Sequence, residues 1–227
     1  MARTLDPVAH AVRRDEFLDA AQSLIQTRGY EDMSIQDILE RTEASRGAFY
    51  HYFDSKAALL EALIERLTVA GTATILPVVD DPSLGALEKF TRVFDGIARW
   101  KAQRKELMLA LLQVWYSDEN ALVRDKLRQQ MLVVLTPAVA AILEQGRREG
   151  VFTAAPGPDT AQVILTLLHG AGETAGRLFF ARQAGAISVD DVRRRLVAYS
   201  LAVERVLGVP AGSVQIVDDM TLHEWFD

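Results

Sequence analysis

The chain has 227 residues, enough for one large domain or two small ones, and it can bury a sizeable core without covalent staples. With 49% hydrophobic and 25% charged residues, its composition excludes collagen-like, disordered and membrane-embedded classes, and no stretch approaches the ~20 uninterrupted apolar residues of a bilayer span. The net charge of −6 excludes a broad basic footprint, so any nucleic-acid reading must rest on local arrangement.

Cysteine is absent, which removes disulfides, thiol catalysis and thiolate metal sites and fits a cytoplasmic address. The opening MARTLDPVAHAVRRDEF lacks the apolar stretch of a signal peptide, so secretion is not expected. His10, His51, His169 and His223 are scattered, with no pair at metal-ligand spacing on one helix.

In chain order, Asp6-Pro7 is a helix start, because Asp caps and Pro tolerates the first turn. Phe17, Ala20, Ala21, Leu24 and Ile25 then recur at helical steps, and Gly29 ends the helix. Ser34 with Asp37 three residues on is a capping box using Asp, and Met33 and Ile38 stand at staple positions. A short helix from Ile35 to Arg41 follows. After a turn at Thr42-Glu43-Ala44, Ser45 caps a second short helix from Arg46 to His51. Asp54-Ser55 caps a fourth helix carrying Leu59, Leu60, Leu63, Ile64 and Leu67. Pro77 and Asp80-Asp81-Pro82 are expected to end this unit.

Longer helices are expected over about 83–103, 105–117, 119–149, 159–183 and 189–207. Pro137 should bend the third of these, Gly150 should cap it, and TAAPGP (Thr153–Pro158) is a loop. The tail from Gly208 is less periodic, and Val214-Gln215-Ile216-Val217 reads as extended or irregular. The fold class is therefore all-α.

Two short helices joined by a tight turn, the second opening Ser45-Arg46-Gly47, form a helix-turn-helix pattern. The run SIQDILERTEASRGAFYHYFDSKAALLEALIERL, with the lead-in FLDAAQSLIQTRGYEDM, resembles the DNA-binding segment of the tetracycline-repressor (TetR/AcrR) family of transcriptional regulators. The likeness covers about residues 13–67 and is carried by GAFYHYF, Lys56 and the upstream RGY. It departs from the family pattern at the turn, where Glu43 replaces a glycine that eases a positive φ.

The resemblance implies an all-α protein with a helix-turn-helix DNA-binding domain at 1–54 and a ligand-binding and dimerisation bundle at 55–207. Residues 55–76 would be the connecting helix and 208–227 a tail. It implies that Ser34 offers its hydroxyl and N–H to a phosphate, that Gln36 touches a base or phosphate, and that Ser45 caps the reading helix. Arg46 would read the O6/N7 edge of guanine, and Gly47 would let the backbone approach. Tyr50, His51, Tyr52 and Lys56 would contact phosphate and sugar. Phe49 and Phe53 read as core, Tyr50 and Tyr52 equally as half-buried packing, and Arg13 and Arg14 as a solvated face. Residues 1–56 hold seven Lys and Arg against ten Asp and Glu, so affinity must come from placing Arg46, Lys56 and helix termini on one face.

In the second region, Phe94, Met108, Leu111, Trp115, Tyr116, His169 and Glu173 are candidates to line a pocket for an apolar or amphipathic effector, with ordinary core the alternative for each aromatic. His169 and Glu173, one turn apart on a helix, read as a simple hydrogen-bonded pair ahead of a ligand contact. Gly172, Ala175 and Gly176 on one helix and Leu196, Tyr199 and Val203 on the next are candidates for a homodimer interface. No nucleophile, base and oxyanion donors stand in order, so an enzyme is not expected. No cofactor, metal or membrane partner is expected either. The expected function is a ligand-responsive homodimeric repressor of a palindromic double-stranded operator. The alternative is a small-molecule-binding or interaction protein whose head no longer reads DNA.

Overall fold

The computed structural model describes residues 7–117 and 120–226. Asp6, the expected first cap, lies outside the described residues, as does residue 119, where the long helix was expected to begin. Among the described residues all regular structure is helical: α1 (Pro7–Arg28), α2 (Ile35–Thr42), α3 (Arg46–Tyr52), α4 (Lys56–Ala73), α5 (Leu76–Asp80), α6 (Ala86–Ala102), α7 (Lys105–Trp115), α8 (Ala121–Glu149), α9 (Pro158–Gln183), α10 (Val189–Leu207) and α11 (Asp219–Phe226).

Two differences from the sequence reading stand out. Pro77 and Asp80-Asp81-Pro82 do not end the N-terminal unit, whose first segment stops at Ala70, and Pro77 occupies the first turn of α5, where its missing N–H costs nothing. The less periodic tail is irregular at 214–217, as its sequence reads, but it also holds a helix, α11, that the sequence reading did not expect. That short helix is held by its surroundings: Leu222 and Phe226 pack with Leu178, Val192 and Leu196, and Arg193 pairs with Asp219 at 2.5 Å.

The chain forms two compact units, Met1–Ala70 with Arg104–Asp125, and Gly71–Gln103 with Lys126–Asp227. The compact division therefore does not fall at 54/55. The first unit takes in most of α4 and, later in the chain, α7, which packs on α1. Residues 208–226 are part of the second unit, not a separate tail.

The first unit is built on an aromatic wedge. Phe17 of α1 meets Phe49 and Phe53 edge to face at 5.6 and 6.2 Å, and all three are buried. Arg66 ties α4 to α1 through Asp19 at 2.8 Å and Gln22 at 3.1 Å. The second unit's main core joins Phe90, Val93, Val139, Ile142, Phe152, Ile164, Val203 and Leu207.

Gly85 gives α6 no side-chain cap; Glu149, from the end of α8, accepts the Ala86 N–H at 2.9 Å instead. That bond, and a second from Gln145, hold the Glu149 carboxyl below the usual carboxylate range. A carboxylate with a lowered folded-state pKa contributes stability that is present above its unfolded value and lost as pH falls through the folded one. Between about pH 5 and 3, Glu149→Gln should therefore show a smaller acid-dependent fall in melting temperature than the wild type, an equal fall refuting the cap.

Two stretches, 56–80 and 121–149, have the length and apolar composition of a membrane span. Each is interrupted by charge, Glu61, Glu65 and Arg66 in the first and Arg124, Asp125, Lys126 and Arg128 in the second. Each also contributes to the unit cores, through Leu59, Leu60 and Leu63, and through Leu135, Val139, Ile142 and Leu143.

Candidate nucleic-acid interface

Local chemistry sets the geometry of the turn between α2 and α3. Ser34 caps α2: its Oγ accepts from Asp37 N at 3.2 Å, and the Asp37 carboxylate accepts from Ser34 N at 2.8 Å. The Ser34 hydroxyl also donates to Asp37, at 2.5 Å. These bonds, with Arg28 at 3.0 Å, hold the Asp37 carboxyl below its usual range, the Ser34 hydroxyl being the largest cause. Both donors that the resemblance assigns to phosphate at Ser34 are therefore taken by Asp37. The N–H groups of α2 left without an intrahelical acceptor are those of Ile35 and Gln36.

α2 runs one residue further than expected, to Thr42, and Glu43 follows it in the left-handed region with φ 49° and ψ 39°. Among the described residues it is the sole non-glycine with positive φ. The conformation aims Ala44 N at Leu39 O, 3.0 Å away, and Arg13 Nη2 donates to the Thr42 carbonyl at 3.2 Å. A side chain with a Cβ is disfavoured here. Glu43→Gly should accordingly stabilise the fold by about 0.5–1 kcal/mol in a urea or thermal melt, and a loss of stability would refute strain at the turn.

Ser45 then caps α3, its Oγ accepting from Ala48 N at 3.2 Å. Phe49 faces inward with no exposed surface, while Arg46, Gly47, Tyr50 and His51 are exposed. The Arg46 guanidinium lies 5.9 Å from the Tyr50 ring centroid. A methyl at Gly47 would meet nothing within 4 Å. Tyr52 is half-buried among rings, 5.7 Å from Phe17 and 4.5 Å from His10. Gln36, exposed on α2, donates to Glu40 at 3.0 Å. Lys56 is folded back: its ammonium sits 4.2 Å from the Tyr30 ring centroid and donates to the Glu31 carbonyl at 3.2 Å. Sequence reasoning missed the approach of His10 to His51, because it joins α1 to α3 and leaves no local pattern.

The expected effector pocket is not brought together within one unit. Phe94, His169 and Glu173 belong to the second unit, and Met108, Leu111, Trp115 and Tyr116 to the first, where Leu111 is buried. The chain returns to the first unit for α7, a long-range event that aromatic content cannot reveal. Phe94 does line a cavity with Ile75, Val79, Val93, Ile97, Leu135 and others, but it holds only about 20 Å³. His169 and Glu173 stand 4.0 Å apart, an ion-pair distance and too long for the expected hydrogen bond.

The dimer candidates also need correction. Leu196 and Val203 are 2% and 0% exposed, and Gly176 is buried, so all three are used inside the protomer. Gly170 accommodates Tyr199 of α10, whose hydroxyl bonds Thr174 at 2.9 Å. The small-residue stripe thus seats a helix of its own chain. Gly172 remains exposed, and Ala175 is half-buried.

A capped crossing helix, a turn and a capped reading helix with its polar side outward define a helix-turn-helix head. Residues 17–63 match the family described as bacterial regulatory proteins, tetR family. The chain is 30% identical over 139 residues to the nucleoid occlusion factor SlmA of Vibrio campbellii, spanning 61% of this chain and 70% of that protein. A helix-turn-helix-type transcriptional regulator of Lactococcus lactis is 32% identical over 92 residues, 40% of this chain and 47% of its own length. In fold, the crystal structure of a TetR transcription regulator from Haloarcula marismortui superposes with a TM-score of 0.62 at 20% identity, covering 87% of this chain and 97% of that one.

The chain belongs to the tetR family of bacterial regulatory proteins. It is a transcriptional regulator with a helix-turn-helix DNA-binding domain, and not an enzyme.

Proposed function

We propose that the protein is a cytoplasmic, homodimeric, ligand-responsive repressor of a near-palindromic operator, read by a head at residues 1–54. The observation that carries this reading is the polarity of α3: Phe49 is anchored in the core, while Arg46, Gly47 and Tyr50 stand on the open side at the helix start. That is the part of a reading helix that meets base edges in the major groove. Ser34, Gln36, Ser45, His51, Tyr52 and Lys56 surround it, with the first-turn N–H groups of α2 supplying phosphate donors.

Gly47 separates fold from function. Gly47→Ala should leave the head as stable or better by about 0.5 kcal/mol, since alanine is the better helix former. It should weaken DNA binding about tenfold if the backbone lies against the duplex. Equal affinity would mean that α3 does not approach DNA there.

For dimerisation, α10 leaves Val197 and Leu201, one turn apart on one side, exposed at 43% and 36%. This outward side of α10 is the surface we assign to a second copy. Two heads held about one DNA turn apart make an inverted repeat the geometric expectation. An effector needs far more room than the cavity beside Phe94, about 20 Å³, since ligand sites run to roughly 300 Å³ or more. An apolar or amphipathic ligand would act by favouring a state with an opened core around Phe94, and only to the extent that it binds that state better.

A second reading, a binding protein whose head no longer reads DNA, is favoured by the acidic count of residues 1–56 and by the Asp37 carboxylate on the Ser34 donors. Selection of bound duplexes from a random pool decides between the two. Enrichment of a short inverted repeat supports the repressor reading. No enrichment at low salt, after unfolding and refolding to strip bound ligand, supports the second.

A further inference from the structure

His10 of α1 and His51 of α3 lie edge to face with ring centroids 5.6 Å apart. Tyr52 touches both, 4.5 Å from His10 and 5.1 Å from His51. His51 is exposed and His10 half-buried. The charged groups on the next turn of α1 are Arg13 and Arg14. Arg13 pairs with Glu16 and donates to the Thr42 carbonyl, and the Arg14 guanidinium lies 5.6 Å from the Phe53 ring centroid. On α3, the facing titratable group is Tyr52, with Arg46 at the opposite end of the helix.

We propose that His10 and His51 together form a proton-linked seat for one DNA backbone phosphate, so that DNA binding takes up a proton. The proposal rests on the DNA-reading function above and adds to it a residue of α1 and a regulating variable, pH. Imidazole is the side chain that changes charge between pH 5 and 8. A phosphate diester set against both rings favours their charged forms, because an adjacent anion stabilises a cation.

Proton uptake also answers the head's charge problem. Residues 1–56 carry more acid than base, and a protonated pair places positive charge on the helix that carries Arg46. The sign follows from linkage. DNA raises the proton affinity of the pair, so affinity for DNA is greatest at low pH and falls as pH rises, by up to about tenfold per pH unit for each proton taken up.

The test measures binding of the full-length protein to a random-sequence duplex of about 30 base pairs, at fixed low ionic strength, from about pH 5.5 to 8. A non-selected duplex suffices because a phosphate contact does not depend on sequence. Wild-type affinity should fall with pH, His10→Gln and His51→Gln should each reduce the slope, and the double variant should be flat. His10→Arg, which keeps a permanent charge, should bind about tenfold tighter than wild type at pH 8 and lose part of the slope. Melting temperatures of the variants establish that the head is folded. A flat wild-type profile, or a slope unchanged by both His10 substitutions, overturns the proposal and leaves the DNA reading intact. Absence of binding at every pH overturns the DNA reading, and the proposal with it.

Discussion

Arg46→Ala should lower affinity for the selected operator by about 1–3 kcal/mol, roughly 5- to 150-fold, and relax preference at one base position in each half-site. Ser45 fixes the start of α3 and Phe49 its rotation, so the Arg46 guanidinium projects from a helix end with two degrees of freedom already removed. Its approach to the Tyr50 ring gives the planar fork a backing surface. A bidentate fork reads guanine by geometry, which alanine cannot imitate. Binding to non-specific duplex should fall much less, by the single phosphate-scale charge that is removed. The measurement is a pair of titrations, one on the enriched duplex and one on a scrambled duplex at equal salt. A uniform loss on both would make Arg46 a phosphate contact and move base reading to Tyr50 or Gln36.

The head was legible in the sequence because its signals are local. Ser34 with Asp37, Ser45 with Ala48, and Ser55 with Ala58 are caps that act over three residues, and each forms as the spacing implies. The unusual Glu43 could be read the same way, since a left-handed turn residue is a property of one position. What was lost were facts that depend on distant partners. The stripe Leu196, Tyr199, Val203 lies on a helix as its spacing implies, but periodicity gives a face and not the element it meets. Here that face meets the core of its own protomer and α11.

The second unit shows the same division. α11 was missed because a helix of eight residues is marginal by propensity and is held by packing. A local signal was present: Asp218 Oδ1 accepts from Thr221 N at 2.7 Å, a capping bond before the helix. Its approach route, however, rests on α10. The Glu204 carboxylate accepts from Val214 N at 2.8 Å and Ser200 Oγ from Ile216 N at 3.1 Å, two side chains one turn apart holding alternate N–H groups of the segment that leads to α11. Glu204 is 2% exposed, a buried acid with no period to announce it.

Gly146→Ala should destabilise the protein by about 1–3 kcal/mol, the reverse of the usual effect of this change in a helix. In an open helical position alanine gains about 1 kcal/mol over glycine. Gly146 lies buried in α8, however, and a methyl there would come within 2.0 Å of the Phe152 ring. The ring cannot retreat cheaply. Phe152 is 1% exposed, lies 6.4 Å from the Phe90 centroid, and is fixed by its own N–H donating to the Gly146 carbonyl at 3.1 Å. Val151 donates to the same carbonyl at 3.0 Å, and Gly150 turns the chain in the left-handed conformation with φ 73°. The reversal thus brings Phe152 down onto α8 at the one residue without a side chain. Phe152→Leu should be costly alone, because it removes buried ring contacts, yet it frees room for the added methyl. The double variant should therefore be more stable than the sum of the two single losses by about 0.5–1.5 kcal/mol, read from urea midpoints of all four proteins. Strict additivity would mean that the clash is relieved elsewhere. A Gly146→Ala protein at least as stable as the wild type would mean that the ring does not occupy this position.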